Sequence, residues 1–188
     1  MKKMLAVAVV SMVALTAQAG IEANFVMTGT GQIDGNDFNI YAVQVTTDTD
    51  WTNSRLEMSL SAGSFGNHSF GSDSPPSPAL LVAFPELGND SYLQTPDGSA
   101  ASTAGTPVFP SAAPKGDTEV AVSWFDTANT GAGTHTIAQL AITADAVGTI
   151  GGKNYDIETA GVGVDVGMVD GTAGSWSVVD GAIVWVPE

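Results

Sequence analysis

Residues 48–60, DTDWTNSRLEMSL, decide the fold. The run opens on turn chemistry: Asp48 and Asp50 bracket a threonine, and Trp51 precedes Thr-Asn-Ser. It then alternates strictly, with Leu56, Met58 and Leu60 on one face and Arg55, Glu57, Ser59 and Ser61 on the other. Successive side chains of an extended chain point to opposite sides, so this period of two predicts a half-buried β-strand over residues 54–62, entered from a turn at 47–53. The apolar face defines an inside. Other segments must supply the opposing surface.

They carry the same period. Residues 21–28 place Ile21, Ala23, Phe25 and Met27 on one face, and 38–46 form a second strand. Between them, GTGQIDGND (29–37) has turn residues at nearly every position, and its Asp34-Gly35 pair is a strong hairpin signal. Alternation returns at 119–125, with Val120, Val122 and Trp124 on the apolar side, and at 134–144. Residues 162–169 put Val162, Val164, Val166 and Met168 on one face, and 175–186 close the chain around Asp180-Gly181, a turn or a bulge. Residues 138–147 have some helical character, but their β-branched neighbours and Gly148 favour a strand. Eight or nine short strands with regular turn signals predict an all-β protein, a single jelly-roll-like β-sandwich over residues 20–186.

Residues 63–117 break the pattern. Pro75, Pro76 and Pro78 interrupt regular structure, ALLVAF (79–84) reads as a short buried strand, and 95–117 is mostly Ala, Ser, Thr, Gly and Pro. The expectation is a long, loop-rich excursion over one end of the sandwich, with ligand binding as its alternative use.

The 188 residues suit one domain with a substantial core. Lys2 and Lys3, the apolar run 4–15 and Ala17-Gln18-Ala19 together predict a secretory signal peptide over residues 1–19, too short in its apolar part to span a bilayer. Its removal takes two of the five basic residues, leaving 20 acidic residues against Arg55, Lys115 and Lys153, a net charge of −17. Such a surface repels phosphate backbones, which excludes nucleic acid as a partner and makes divalent cations the natural counterions. The chain has no cysteine, so disulfides, thiol catalysis and cysteine-ligated zinc are excluded.

Catalytic signatures are sparse. His68 lies in a GNHSFG loop and His135 near the start of a strand, without the spacing of a metal pair, and no G-x-S-x-G elbow occurs. The reading is therefore non-enzymatic; the alternative hydrolase would need His68 or an acidic pair in a pocket. The carboxylates offer more. Asp34 with Asp37, and Asp48 with Asp50, are the candidate ligands for a structural calcium ion, which takes six to eight oxygens from such loops. None fits a calcium-loop motif, and the preference of Asp for turns accounts for the same residues. Flat aromatic rings suit sugar stacking, and Trp51, Phe65, Phe70 and Tyr92, with His68, form the candidate ligand-binding set for an extracellular polysaccharide. The competing assignment places them in the core or over the sandwich end. Two N-x-S sequons begin at Asn67 and Asn89.

Two resemblances bear on function. AIVWVPE (182–188) ends in Val-Pro-Glu, which resembles the start of the V-P-E-P motif of PEP-CTERM sorting signals. In that family a membrane helix and an arginine-rich tail follow, and the chain stops short of both at Glu188. The resemblance implies a secreted, surface-displayed or exopolysaccharide-associated protein of a Gram-negative bacterium, attached to membrane only through that missing anchor, with polysaccharide or a surface protein as partner. FNIYAVQVTTDTDWTNSRLEMSLSAGSF (38–65) and THTIAQLAITADAVGT (134–149) resemble cohesin-type modules, which implies a jelly-roll sandwich and transfers no binding residue.

Overall fold

Alternating side chains resolve into antiparallel sheets in the computed structural model, which describes residues 21–47, 51–99, 102–104, 118–150, 156–159, 162–165, 168–169 and 172–188. The described strands are β1 (Ile21–Ile33), β2 (Asn36–Thr47), β3 (Trp51–Ala62), β4 (Tyr92–Leu93), β5 (Ser102–Ala104), β6 (Glu119–Thr130) and β7 (Gly133–Thr143). After them come β8 (Val147–Ile150), β9 (Asp156–Thr159), β10 (Val162–Asp165), β11 (Met168–Val169), β12 (Thr172–Val179) and β13 (Ala182–Pro187). One sheet runs β1-β2-β7-β4, a second runs β11-β12-β8-β3-β6-β5 with β13 also on β12, and β9 and β10 pair as a separate two-stranded ribbon. The protein is an all-β sandwich, and no barrel closes among the described residues.

The two inner faces meet in one core. The first sheet contributes Ala23, Phe25, Tyr41, Val43, Val45, Leu140 and Ile142, the second Leu56, Met58, Leu60, Val120, Ile150 and Val178. Phe25 meets Trp176 edge-on at 5.1 Å between ring centroids, and Trp185 lies 5.3 Å beyond Trp176. The β3 alternation is as expected: Leu56, Met58 and Leu60 are all buried.

Both Asp-Gly pairs make two-residue turns. Ile33 faces Asn36 around Asp34-Gly35, and Val179 faces Ala182 around Asp180-Gly181. All four turn residues have positive φ, between 48° and 78°. Such a turn twists in the sense of the strands that it joins. Gly35, at φ 78°, has open space where a Cβ would sit. Gly35→Ala therefore isolates the left-handed backbone penalty, expected at about 1–2 kcal/mol in chemical denaturation; a loss indistinguishable from zero would show that the turn relaxes.

Several expectations change. Strand β1 runs on through 29–33, so the turn there is only two residues long. Met27 keeps its pairing with Tyr41 but is 50 % exposed rather than buried like Phe25, and the register shifts just after it, between Met27 and Gly29. Trp51 starts strand β3 rather than sitting in a turn. Residues 162–169 divide into β10 and β11, and 175–186 into the hairpin of β12 and β13. The short pieces raise the described strands above the eight or nine expected. Residues 1–19, Asp48, Asp50, 105–117 and the side chains of Trp51, Val122, Trp124 and 162–169 lie outside the described set.

The largest correction concerns residues 63–93. Both ends of this stretch join the edge of the first sheet along β7, through Phe65 and β4. The loop-rich residues 67–91 between them form a third layer, with Glu86, Gly88 and Asn89 bonded to Asp34, Gln139 and Gln32. Strand β2 buries Phe38 and Ile40 on the outer side of that sheet, where they cluster with Ile33 and Ala141. The chain seals this cluster through backbone bonds to β7: Gly66 N–H donates to the Ala141 carbonyl at 2.7 Å, and Thr143 N–H to the Ser64 carbonyl at 3.0 Å. Within this layer ALLVAF is helical: α1 (Pro78–Ala83) leads into a 3₁₀ turn, Pro85–Asn89. Ser77 accepts from Leu80 N–H as N-cap, and Pro78 occupies the first turn, where its missing N–H costs nothing.

Candidate functional site

The third layer meets the β1–β2 turn, and there, among the described residues, titratable groups converge. The Asp34 carboxylate accepts Ser69 N–H at 3.0 Å through Oδ2, and its Oδ1 lies 3.6 Å from His68 Nε2. Glu86, from the 3₁₀ turn, accepts the Asp34 backbone N–H at 2.9 Å. Asp34, His68 and Glu86 thus converge, with one ligand-type atom of each within 4.8 Å of the others.

The imidazole reveals what this convergence does. Phe70 N–H donates to His68 Nδ1 at 3.0 Å, so Nδ1 is an acceptor and the neutral ring carries its proton on Nε2, facing Asp34. A metal-bound histidine has the reverse arrangement, with the ligating nitrogen bare and the other donating to an acceptor. The trio fits a polar clasp between the hairpin and the third layer better than a metal centre. The Ser69 hydroxyl adds a long hydrogen bond to Asp34 Oδ1, at 3.5 Å.

Beneath the clasp lies Asp90, 2 % exposed. Its Oδ1 accepts His68 N–H at 2.8 Å and Ser91 N–H at 3.0 Å. Gly71 makes this packing achievable, because a Cβ there would occupy the position of Asp90 Oδ2. Burial raises the Asp90 carboxyl to about 7, with the negative charges of Asp34 and Asp73 adding to the effect against the two N–H donors. Asp73 is raised by burial too, and its Oδ1 is buried without a hydrogen-bond partner.

Beside the clasp, three rings form a surface. Phe70 stacks on Phe84 at 4.7 Å and 27°, and His68 lies 5.8 Å and 6.0 Å from them. Phe70 is 62 % exposed. No residue of α1 is buried, and its Leu80 and Val82 are 42 % and 85 % exposed.

The sequence-derived candidates therefore separate. His68 and Phe70 come together, with His68 buried under the aromatic face rather than open to ligand. Phe65 lies in the core, bridged to Ile142, and is unavailable to any ligand. Tyr92 is half-buried on β4, and its hydroxyl donates to Gln139 Oε1 at 3.4 Å. Of the calcium candidates, Asp34 joins the clasp, whereas Asp37 accepts from Gln32 Nε2 at 2.9 Å beside a cleft of about 430 Å³ lined by the hairpin strands and Ala144. Asp48, Asp50 and the Trp51 side chain lie outside the described residues.

Phe84, Glu86, Asp73 and Asp90 escape sequence reading, although the Ser77-Pro78 start signal could have revealed the helix that positions Phe84 and Glu86. Both sequons are packed into the fold: Asn67 is buried, and Asn89 fills the space beside Gly31 while donating to the Gln32 carbonyl at 3.0 Å. Comparison with family models, with curated proteins and with solved structures returns no match.

Proposed function

We propose that this chain is a secreted, non-catalytic β-sandwich module of a Gram-negative cell-surface or exopolysaccharide-associated protein, and that its third layer is the contact face. The observation that carries this reading is a whole apolar helix with no buried residue, set beside an exposed phenylalanine. Single exposed apolar residues are ordinary on a soluble protein, but a contiguous set marks an interaction site. The signal-like N-terminus and the Val-Pro-Glu resemblance support the extracellular setting, and the occupied Nδ1 of His68 supports a non-catalytic role.

A variant carrying Phe70→Ser and Val82→Asp tests the reading. Retention of the purified chain by envelope and exopolysaccharide fractions of the source bacterium is expected to fall at least about tenfold. The melting temperature should move by no more than about 2 °C, since exposed substitutions change stability little. Equal retention of variant and wild type, or none by either, would remove the contact face.

A second reading, polysaccharide binding, draws on the Phe70–Phe84 stack beside Asp34 and Glu86, whose carboxylates can accept sugar hydroxyls. It requires measurable affinity for at least one glycan of a panel, reduced by Phe70→Ala.

A further inference from the structure

The contact face has a charge as well as a shape. Asp34 and Glu86 border the Phe70–Phe84 stack through His68 and the 3₁₀ turn. The sequence from 56 to 114 contains no lysine or arginine, and neither does 21–47, which supplies the hairpin. Every side chain that builds this face is therefore apolar, aromatic, neutral polar or acidic, apart from His68. An apolar patch with an acidic border and no base excludes some partners and favours others. A second copy of the same face would bring like charges together, which opposes association. Leu80 and Val82 are aliphatic and non-planar, so they offer a sugar ring no stacking surface.

We propose that α1 and the Phe70–Phe84 stack dock a cationic, amphipathic segment of a partner protein, its apolar side chains on Leu80, Val82 and Phe70 and its basic groups opposite Asp34 and Glu86. The inference rests on the reading of this layer as the contact face. Burial of the apolar pairs supplies the contact area, while the border charges choose the sign of the partner and hasten its encounter.

Fluorescence anisotropy with a labelled Leu/Lys helical peptide of about 18 residues, and its Leu/Glu counterpart, tests the inference. Wild type should bind the basic peptide, weakening as salt rises from about 0.05 to 0.5 M, and leave the acidic one free. Neutralising the border with Asp34→Asn and Glu86→Gln should weaken binding at least about fivefold. The same charge change placed elsewhere, Asp97→Asn with Asp180→Asn, should weaken it less than about twofold; an equal loss would reveal mere attraction to an acidic chain and overturn the proposal. Equal binding of both peptides, or of neither, also overturns it. If Phe70→Ser with Val82→Asp instead abolishes binding to a neutral oligosaccharide, or self-association in sedimentation, the cationic partner is wrong while the contact face stands. If that variant alters no binding of any kind, both fall.

Discussion

Gly148→Ala is expected to lower stability by about 3 kcal/mol, the upper end of what an added methyl group costs in a packed site. Gly148 sits on β8 between β3 and β12, opposite Leu60 on one side and Val178 on the other. Strand β3 shifts register here, between Leu60 and Ala62, which draws its backbone onto β8. A Cβ on Gly148 would fall well inside contact distance of the Ser59 carbonyl oxygen, 2.8 Å from Leu60 Cα and 2.9 Å from Leu60 Cδ2. The first two are backbone atoms that cannot rotate aside. The strands must separate, and the ladder that buries Met58, Leu60 and Ile150 opens with them. Gly88→Ala is the matched control: its new Cβ would meet only Leu81 Cδ2, at an ordinary 3.7 Å. That substitution should be neutral or stabilise by up to about 1 kcal/mol, because alanine narrows the unfolded ensemble. Denaturant midpoints of the two variants decide the matter; a Gly148→Ala midpoint near wild type would show that β3 and β8 can slide apart without loss.

The same glycine illustrates what can be read from the chain before its structure. Gly148, the β-branched neighbours and the period of two identified β7 as a strand and not a helix, because alternation and breakers are local properties, whereas the four residues of β8 were too few to show a period. Asp34-Gly35 identified its hairpin for the same reason. Leu56, Met58 and Leu60 identified their buried face. ALLVAF failed because six apolar residues have no distinguishing period, and a helix that buries none of them violates the premise that apolar runs go inside. The bulge after Met27 was invisible because nothing in MTGTG marks where it falls, yet it inverts every later side chain of β1. The clasp was half legible: Asp34 and His68 announced themselves by type, but the bond from Ser69 and the meeting with His68 depend on a third layer folding back across 35 residues of chain. Asp90 was invisible, since an aspartate in a Gly-Asn-Asp-Ser run looks like any turn residue. Only the enclosure by Gly71, His68 and Ser91 makes it a buried acid.

That enclosure makes Asp90 a determinant of how stability varies with pH. Its carboxyl titrates near 3.8 in the unfolded chain and at about 7 in the folded one. Between those values the folded protein holds a proton that the unfolded chain has released, so stability falls as pH rises through the window. Below 3.8 both states are protonated and the contribution is fully present; above about 7 it is lost. The full span corresponds to about 2–4 kcal/mol. Asp73, also raised, acts in the same direction, while the exposed Asp97, lowered to about 2 by hydrogen bonds from Thr95 and Ser99, acts in the opposite one. Asp90→Asn separates these contributions, because it keeps an oxygen for His68 and Ser91 N–H but removes the titration. The variant should gain on wild type steadily from pH 4 to 8 in urea denaturation. Asp90→Ala strands both N–H groups in a buried site and should lose about 2–5 kcal/mol at any pH in that range. A constant difference between wild type and Asp90→Asn across the window would mean that Asp90 is already ionised when folded. Its two N–H donors would then outweigh its burial, and the clasp above it would rest on a buried anion.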